Sequence, residues 1–145
     1  MFPHVSPKPS PQDSRLFDEW NEEKKILHLK TESSIYINPR DIWYVKLGMN
    51  IGNEQNGKKS FQRPVLVVRR IGNMYFSIPL TTRWKKSVFY RPLWKIHGDN
   101  SWLIVSQARV FDKKRFVNKI DTLNADTFLS VKKTLRSIYF WFWEL

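Results

Sequence analysis

From position 48 to position 63 the chain reads Gly-Met-Asn-Ile-Gly-Asn-Glu-Gln-Asn-Gly-Lys-Lys-Ser-Phe-Gln-Arg, and Pro64 follows. Within these sixteen residues lie one carboxylate, Glu54, two lysines, Lys58 and Lys59, and a closing arginine, Arg63. A lone acid and an arginine framing a basic, glycine-containing loop suit phosphate chemistry. A guanidinium fork binds two phosphate oxygens at once and keeps its charge at any physiological pH. RNA is the phosphodiester that such a set can cleave with no metal and no external nucleophile, because its own 2′-hydroxyl attacks. The protein then has to align that hydroxyl, move protons and stabilise charge on the transition state. Glu54 can take the 2′-hydroxyl proton if burial or a nearby phosphate raises its pKa. A threonine hydroxyl can donate to the same phosphate.

Other chemistries find little support. The three histidines, His4, His28 and His97, are expected in the tail, in a helix and in a turn, with nothing to make a pair converge. From residue 33 onward there are seven acids, Asp41, Glu54, Asp99, Asp112, Asp121, Asp126 and Glu144, scattered rather than clustered as metal hydrolysis requires. There is no cysteine, hence no disulfide or thiolate site, which fits a cytoplasmic location. No cofactor motif, neither a phosphate-binding loop nor a dinucleotide fingerprint, is present.

The charge points to a polyanionic partner. The formal net charge is +12, and it is unevenly spread. Residues 1–32 hold 5 basic and 6 acidic side chains, and residues 33–145 hold 20 and 7. A compact body so positive attracts nucleic acid. The basic residues are dispersed, and no apolar run reaches membrane-spanning length, so no membrane association is expected.

The elements that must position these residues follow from pattern. Residues 1–12, rich in proline and serine, are expected to be a disordered tail. Residues 13–38 are expected to form a helical extension, with Asp13 or Ser14 as N-cap and the helix running to about Lys30. Leu16, Trp20 and Leu27 share a face of it that Glu23 interrupts. Residues 39–145 are expected to be the main domain. Strands are expected at 41–47, at 64–68, and at 74–80 after an Ile71-Gly72-Asn73 turn. Further strands are expected at 88–96, at 102–105 after a turn at 97–100, and at 109–112. Pro92 marks its strand as an edge or a bulge. Asn124 is expected to cap a C-terminal helix whose apolar face carries Phe128, Val131, Leu135, Ile138, Tyr139 and Phe142. The aromatic tail, with Phe140, Trp141 and Trp143, is expected to be apolar around much of that helix. Five or six short strands and a terminal helix suggest a small closed β-barrel.

Taken in order, several short motifs resemble the MazF/PemK family of bacterial type II toxin–antitoxin systems. These are Asp41-Ile42-Trp43-Tyr44-Val45, Gly52-Asn53-Glu54-Gln55, Arg63-Pro64-Val65-Leu66-Val67-Val68, Ile78-Pro79-Leu80-Thr81-Thr82, Ser106-Gln107-Ala108-Arg109, Asp112-Lys113-Lys114-Arg115 and Lys119-Ile120. The resemblance implies a mainly β fold with α, an SH3-like barrel with a C-terminal helix, here with an extra N-terminal helix. It implies a homodimeric, ribosome-independent and metal-independent endoribonuclease that cuts single-stranded RNA and leaves a 2′,3′-cyclic phosphate and a 5′-hydroxyl. A cognate antitoxin protein blocks the RNA groove. Arg63 and Thr81 align with the family's catalytic arginine and threonine. Glu54 and Gln55 match the loop that covers RNA and supplies an acid, and Gln107 matches a glutamine near the bound bases. The loop at 48–62 is longer than in many members, and Ser106 stands where an acid often precedes the glutamine.

The expected catalytic set is therefore Arg63, Thr81 and Glu54, with Gln55, Lys58, Thr82, Arg83, Lys85 and Gln107 as RNA-binding residues. Arg83-Trp84-Lys85-Lys86 combines charge with a stacking ring, as single-strand binders do. Arg69-Arg70 and Lys113-Lys114-Arg115 read as solvated faces, and Trp43, Trp94 and Trp102 as core. Two other readings stay open: a non-catalytic, CcdB-like gyrase poison using the aromatic C-terminus, and an inert nucleic-acid-binding (RNA- or DNA-binding) barrel.

Overall fold

The computed structural model describes residues 11–31, 34–96 and 98–141. Helix α1 (Pro11–Leu29) is followed by seven strands: β1 (Asp41–Lys46), β2 (Gln62–Ile71), β3 (Met74–Thr81), β4 (Tyr90–Ile96), β5 (Asp99–Ile104), β6 (Arg109–Asp112) and β7 (Phe116–Thr122). Helix α2 (Ala125–Tyr139) follows β7. The sheet order is β4-β5-β3-β2-β1-β7, with β6 pairing β3, and every pairing is antiparallel.

Two faces and two cores follow from the period-2 alternation of the strands. Ile42, Leu66 and Ile78 sit in register with one another and point to a core covered by Phe128, Val131 and Leu135 of α2. Trp43, Val45, Val65, Val67, Tyr75, Phe111 and Phe116 point the other way and fill the barrel. The barrel ring runs β7-β1-β2-β3-β6, and the chain itself closes it. A single 3-10 turn, Lys113–Arg115, carries β6 into β7, whose ladder lies at the opposite end of the ribbon. Asp41, buried at the seam between β1 and β7, accepts from Asn38 N, Trp43 Nε1 and Thr122 Oγ1 and pairs with Lys119 at 3.2 Å.

The mainly β architecture with two helices matches the expectation. Several details correct it. The first helix begins at Pro11, so Asp13 lies in its first turn instead of capping it, and the expected tail boundary at residue 12 falls inside the helix. Residues 1–10 lie outside the described residues. Glu23 does not spoil the helix face, because it pairs with Lys46 of β1 at 2.8 Å. The fifth strand starts at Asp99, where a turn was expected, and Val105 begins a 3-10 turn. Strand β4 starts at Tyr90 and pairs only with β5, as the edge role of Pro92 requires. Strand β7 was not anticipated: only Phe116 of its seven residues is buried, so no alternation announces it. Asn124 does cap α2, its side chain accepting from Thr127 N at 2.9 Å. That helix ends at Tyr139, and Phe140 and Trp141 are exposed beyond it. Phe142, Trp143 and His97, and the side chain of Trp94, lie outside the described residues.

Candidate functional site

Arg63 sits near the start of β2, opposite Val45 of β1. It shares the barrel-facing parity of Val65 and Val67 and is only 7% exposed. Its guanidinium rests on two backbone carbonyls: Nε donates to Asn56 O at 2.7 Å and Nη1 to Leu80 O at 3.1 Å. Among the described residues no carboxylate forms an ion pair with it. Burial lowers its pKa, the Tyr90 phenol draws it back up, and Arg83 pushes it down again. A buried cation held only by neutral acceptors is costly to keep without an anionic partner.

Thr81 ends β3 and is 8% exposed. The β2–β3 ladder pairs Val65 with Pro79, and the same antiparallel register carried two residues further sets Arg63 opposite Thr81. Both side chains thus belong to one face at one mouth of the barrel. The Thr81 hydroxyl accepts from Arg83 N at 3.1 Å, a local turn that bends the chain off the strand. The exposed segment 82–89 follows, carrying Thr82, Arg83, Trp84 and Lys85. Lys58 approaches from the other side, on the loop. Its pKa is lowered by burial first, then by Arg63 and Arg83, so three cations gather at this mouth.

The loop of residues 48–61 is ordered by its own hydrogen bonds. Gly57 N donates to Gly48 O, Lys58 N to Gln62 O, and Asn50 Nδ2 to Gln55 O. Gln107, from the 3-10 turn after β5, grips the loop with both ends of its amide: Nε2 donates to Asn53 O at 3.0 Å and Oε1 accepts from Gln55 N at 3.4 Å. A hollow of about 350 Å³ between loop and barrel is lined by Asn50, Glu54, Gln55, Pro79, Gln107 and Arg109.

Of the residues singled out in the sequence, the fold brings Arg63, Thr81, Arg83 and Lys58 together. Gln55 and Gln107 meet each other, as loop organisers. Glu54 is exposed on the loop, and among the described residues no ion pair joins it to Lys58 or Arg63. A family model for PemK-like, MazF-like toxins of type II toxin–antitoxin systems matches residues 38–139. The chain belongs to that family.

Solved MazF-type structures share its fold. MazF from Deinococcus radiodurans (Form-I) aligns with a TM-score of 0.60 at 21% identity, over 73% of this chain and 97% of that one. The MazE–MazF structure from the same organism (Form-II) gives 0.57 at 17% identity, over 72% and 96%. An endoribonuclease in complex with its cognate antitoxin from a mycobacterial species gives 0.55 at 11% identity, over 70% and 93%. A search of curated proteins gave no match.

The PemK/MazF-matched span contains the whole site but not α1. Two participants were missed in the sequence. Tyr90, half-buried at the start of β4, lies close enough to Arg63 that each alters the other's ionisation; burial raises its pKa and Arg63 lowers it. Asn56 supplies through its carbonyl a support that no side-chain motif can advertise. Arg115, read as part of a solvated face, is partly buried, donating through Nη1 to Lys46 O at 3.0 Å. No group of three His, Asp or Glu side chains that could hold a metal occurs among the described residues, and none of their helices is long and apolar enough to cross a membrane.

Proposed function

We propose that this PemK/MazF-family toxin is a single-strand endoribonuclease working at the Arg63–Thr81 mouth of the barrel. The observation that carries the reading is Arg63 itself: a buried guanidinium resting on backbone carbonyls, two rungs past the last β2–β3 pair and across from Thr81. Arg83 and Lys58 surround it with positive charge. A phosphodiester is an anion that such a cluster of cations binds.

In the proposed reaction the 2′-oxygen attacks phosphorus and the bond from phosphorus to the 5′-oxygen breaks. The products are a 2′,3′-cyclic phosphate and a 5′-hydroxyl, and the proton lost from the 2′-hydroxyl is balanced by one gained at the leaving oxygen. Arg63 clamps the non-bridging oxygens as charge builds on them, and the Thr81 hydroxyl donates to the same phosphate. Glu54 is the loop's own candidate base, lining the hollow between loop and barrel. Lys58, Thr82, Arg83 and Lys85 hold flanking phosphates. Gln55 and Gln107 set the loop's shape over the bases.

The solved complexes of MazF with MazE, and of the mycobacterial endoribonuclease with its antitoxin, support a cognate antitoxin as protein partner. Exposed Leu129, Phe140 and Trp141 on and beyond α2 support self-association into a homodimer.

The test is a long RNA incubated with the pure protein in EDTA, with both new ends mapped. Cuts at one recurring short sequence, bearing cyclic phosphate, are expected. Arg63→Ala should lower the rate by roughly 100- to 1000-fold while far-UV circular dichroism still reports a folded barrel. Intact RNA would overturn the function, and full activity of Arg63→Ala would overturn the site.

A further inference from the structure

The helix that lies outside the family-matched span is built into the site's loop. Gly48, where β1 gives way to the loop, has φ +80°, and a Cβ there would stand 1.9 Å from Trp20 Cε2. Only glycine lets the backbone lie against that indole. Trp20 is 5% exposed, and its ring meets Phe61 at a centroid distance of 5.4 Å. Its ring also lies 5.8 Å from the Arg115 guanidinium carbon, and that guanidinium in turn holds Lys46 O and Leu47 O. Lys46 closes the circle, pairing with Glu23 of α1 and donating to Ser60 O at 3.0 Å.

The loop base needs that support. Ser60 and Phe61 both have left-handed backbones, with φ of 55° and 59°, a region unfavourable to residues with side chains. Such conformations persist only where surrounding contacts over-determine them. Phe61 O accepts from both Leu47 N and Gly48 N, so the ring clasped by Trp20 belongs to the residue that ties the two stems. Four residues from this base, Asn56 O receives Arg63 Nε.

We propose that α1 is a strut for the loop, with Trp20 as a positioning residue for Arg63. The indole fixes the Gly48–Phe61 base, the base fixes the height of Asn56, and Asn56 fixes the guanidinium against Thr81. Trp20 touches no substrate. Its effect on catalysis rests on the endoribonuclease reading, while its effect on the loop does not.

The experiment uses full-length protein with Trp20→Ala and Trp20→Phe. Amide hydrogen exchange is followed over residues 48–61, together with the Arg63 Nε–H resonance, and cleavage kinetics are measured on a short RNA. In Trp20→Ala, loop amides and Arg63 Nε–H should exchange at least about tenfold faster, while the β2 and β3 amides of the barrel keep their protection. The kcat should fall about 10- to 100-fold with KM changed far less, because an alignment effect acts in the transition state. Trp20→Phe should recover most of both. Unchanged exchange in Trp20→Ala overturns the strut. Faster exchange with unaltered kcat overturns the positioning role. If the wild-type protein cuts no RNA, the function has failed, and the exchange data alone decide the strut.

Discussion

Lys58, exposed on the loop, and Arg63 repel each other, and among the described residues no carboxylate forms an ion pair with either; that gives the site a pH signature. Burial, and then Arg63 and Arg83, hold the Lys58 pKa below the usual lysine value. A bound phosphate reverses the repulsion and raises it, so binding takes up a proton wherever the free lysine has begun to lose its own. Affinity for a non-cleavable 2′-deoxy oligonucleotide is therefore full below the free pKa and declines as pH rises through the interval up to the bound pKa. Fluorescence anisotropy followed as pH rises from neutral towards the ordinary lysine value should show this decline, and Lys58→Met should flatten part of it. Equal slopes for both proteins would show that Lys58 does not meet phosphate. Arg63 was legible in the sequence because Pro64 and an apolar strand fix where it must lie. Tyr90 was not, because only the fold brings the start of β4, two strands removed from β2, within electrostatic reach of Arg63. Gln107 was legible as a residue of interest but not as a clasp, since its partners are backbone atoms of the loop.

At the level of elements, Gly48 is the joint between helix, strand and loop. Gly48→Ala carries the left-handed penalty of roughly 1–2 kcal/mol and drives a methyl group into the Trp20 ring. Chemical denaturation should show a loss greater than about 2 kcal/mol. In a Trp20→Ala background the same substitution should cost only about 1–2 kcal/mol, since the collision is gone and the backbone penalty stays. Additive losses would mean that the two residues do not press on each other. Strands with strong β-formers announced themselves, as in Asp-Ile-Trp-Tyr-Val-Lys of β1 and Val-Leu-Val-Val within β2. Strand β7 is silent in the sequence because its pairing with β1, broken by two register shifts, makes it a strand without burying a face of its own. Helix α1 was visible, but its purpose was hidden. Glu23 looked like a flaw in an apolar stripe until Lys46 appeared opposite it.

Taken whole, the molecule has a formal charge of +12, carried by a small basic barrel beside a nearly neutral helical arm. Binding to single-stranded nucleic acid should accordingly be strongly salt-dependent. For three or four neutralised phosphates, affinity should fall roughly 20- to 50-fold between 50 and 200 mM salt. A fall of less than about threefold would mean that the positive field is not what binds the chain. The ring adds a consequence of another kind. Strand β1 finds its β7 neighbour some 80 residues later, Asp41 against Thr122, and α1 leans on Arg115 and Lys114 just before that strand. A ribosome makes these parts in order, helix and loop first, Arg115 and β7 later. The loop over Arg63 therefore acquires these supports only after Arg115 and β7 have been made. On the proposed function, a nascent chain released before Arg115 is made lacks these supports and is a harmless one.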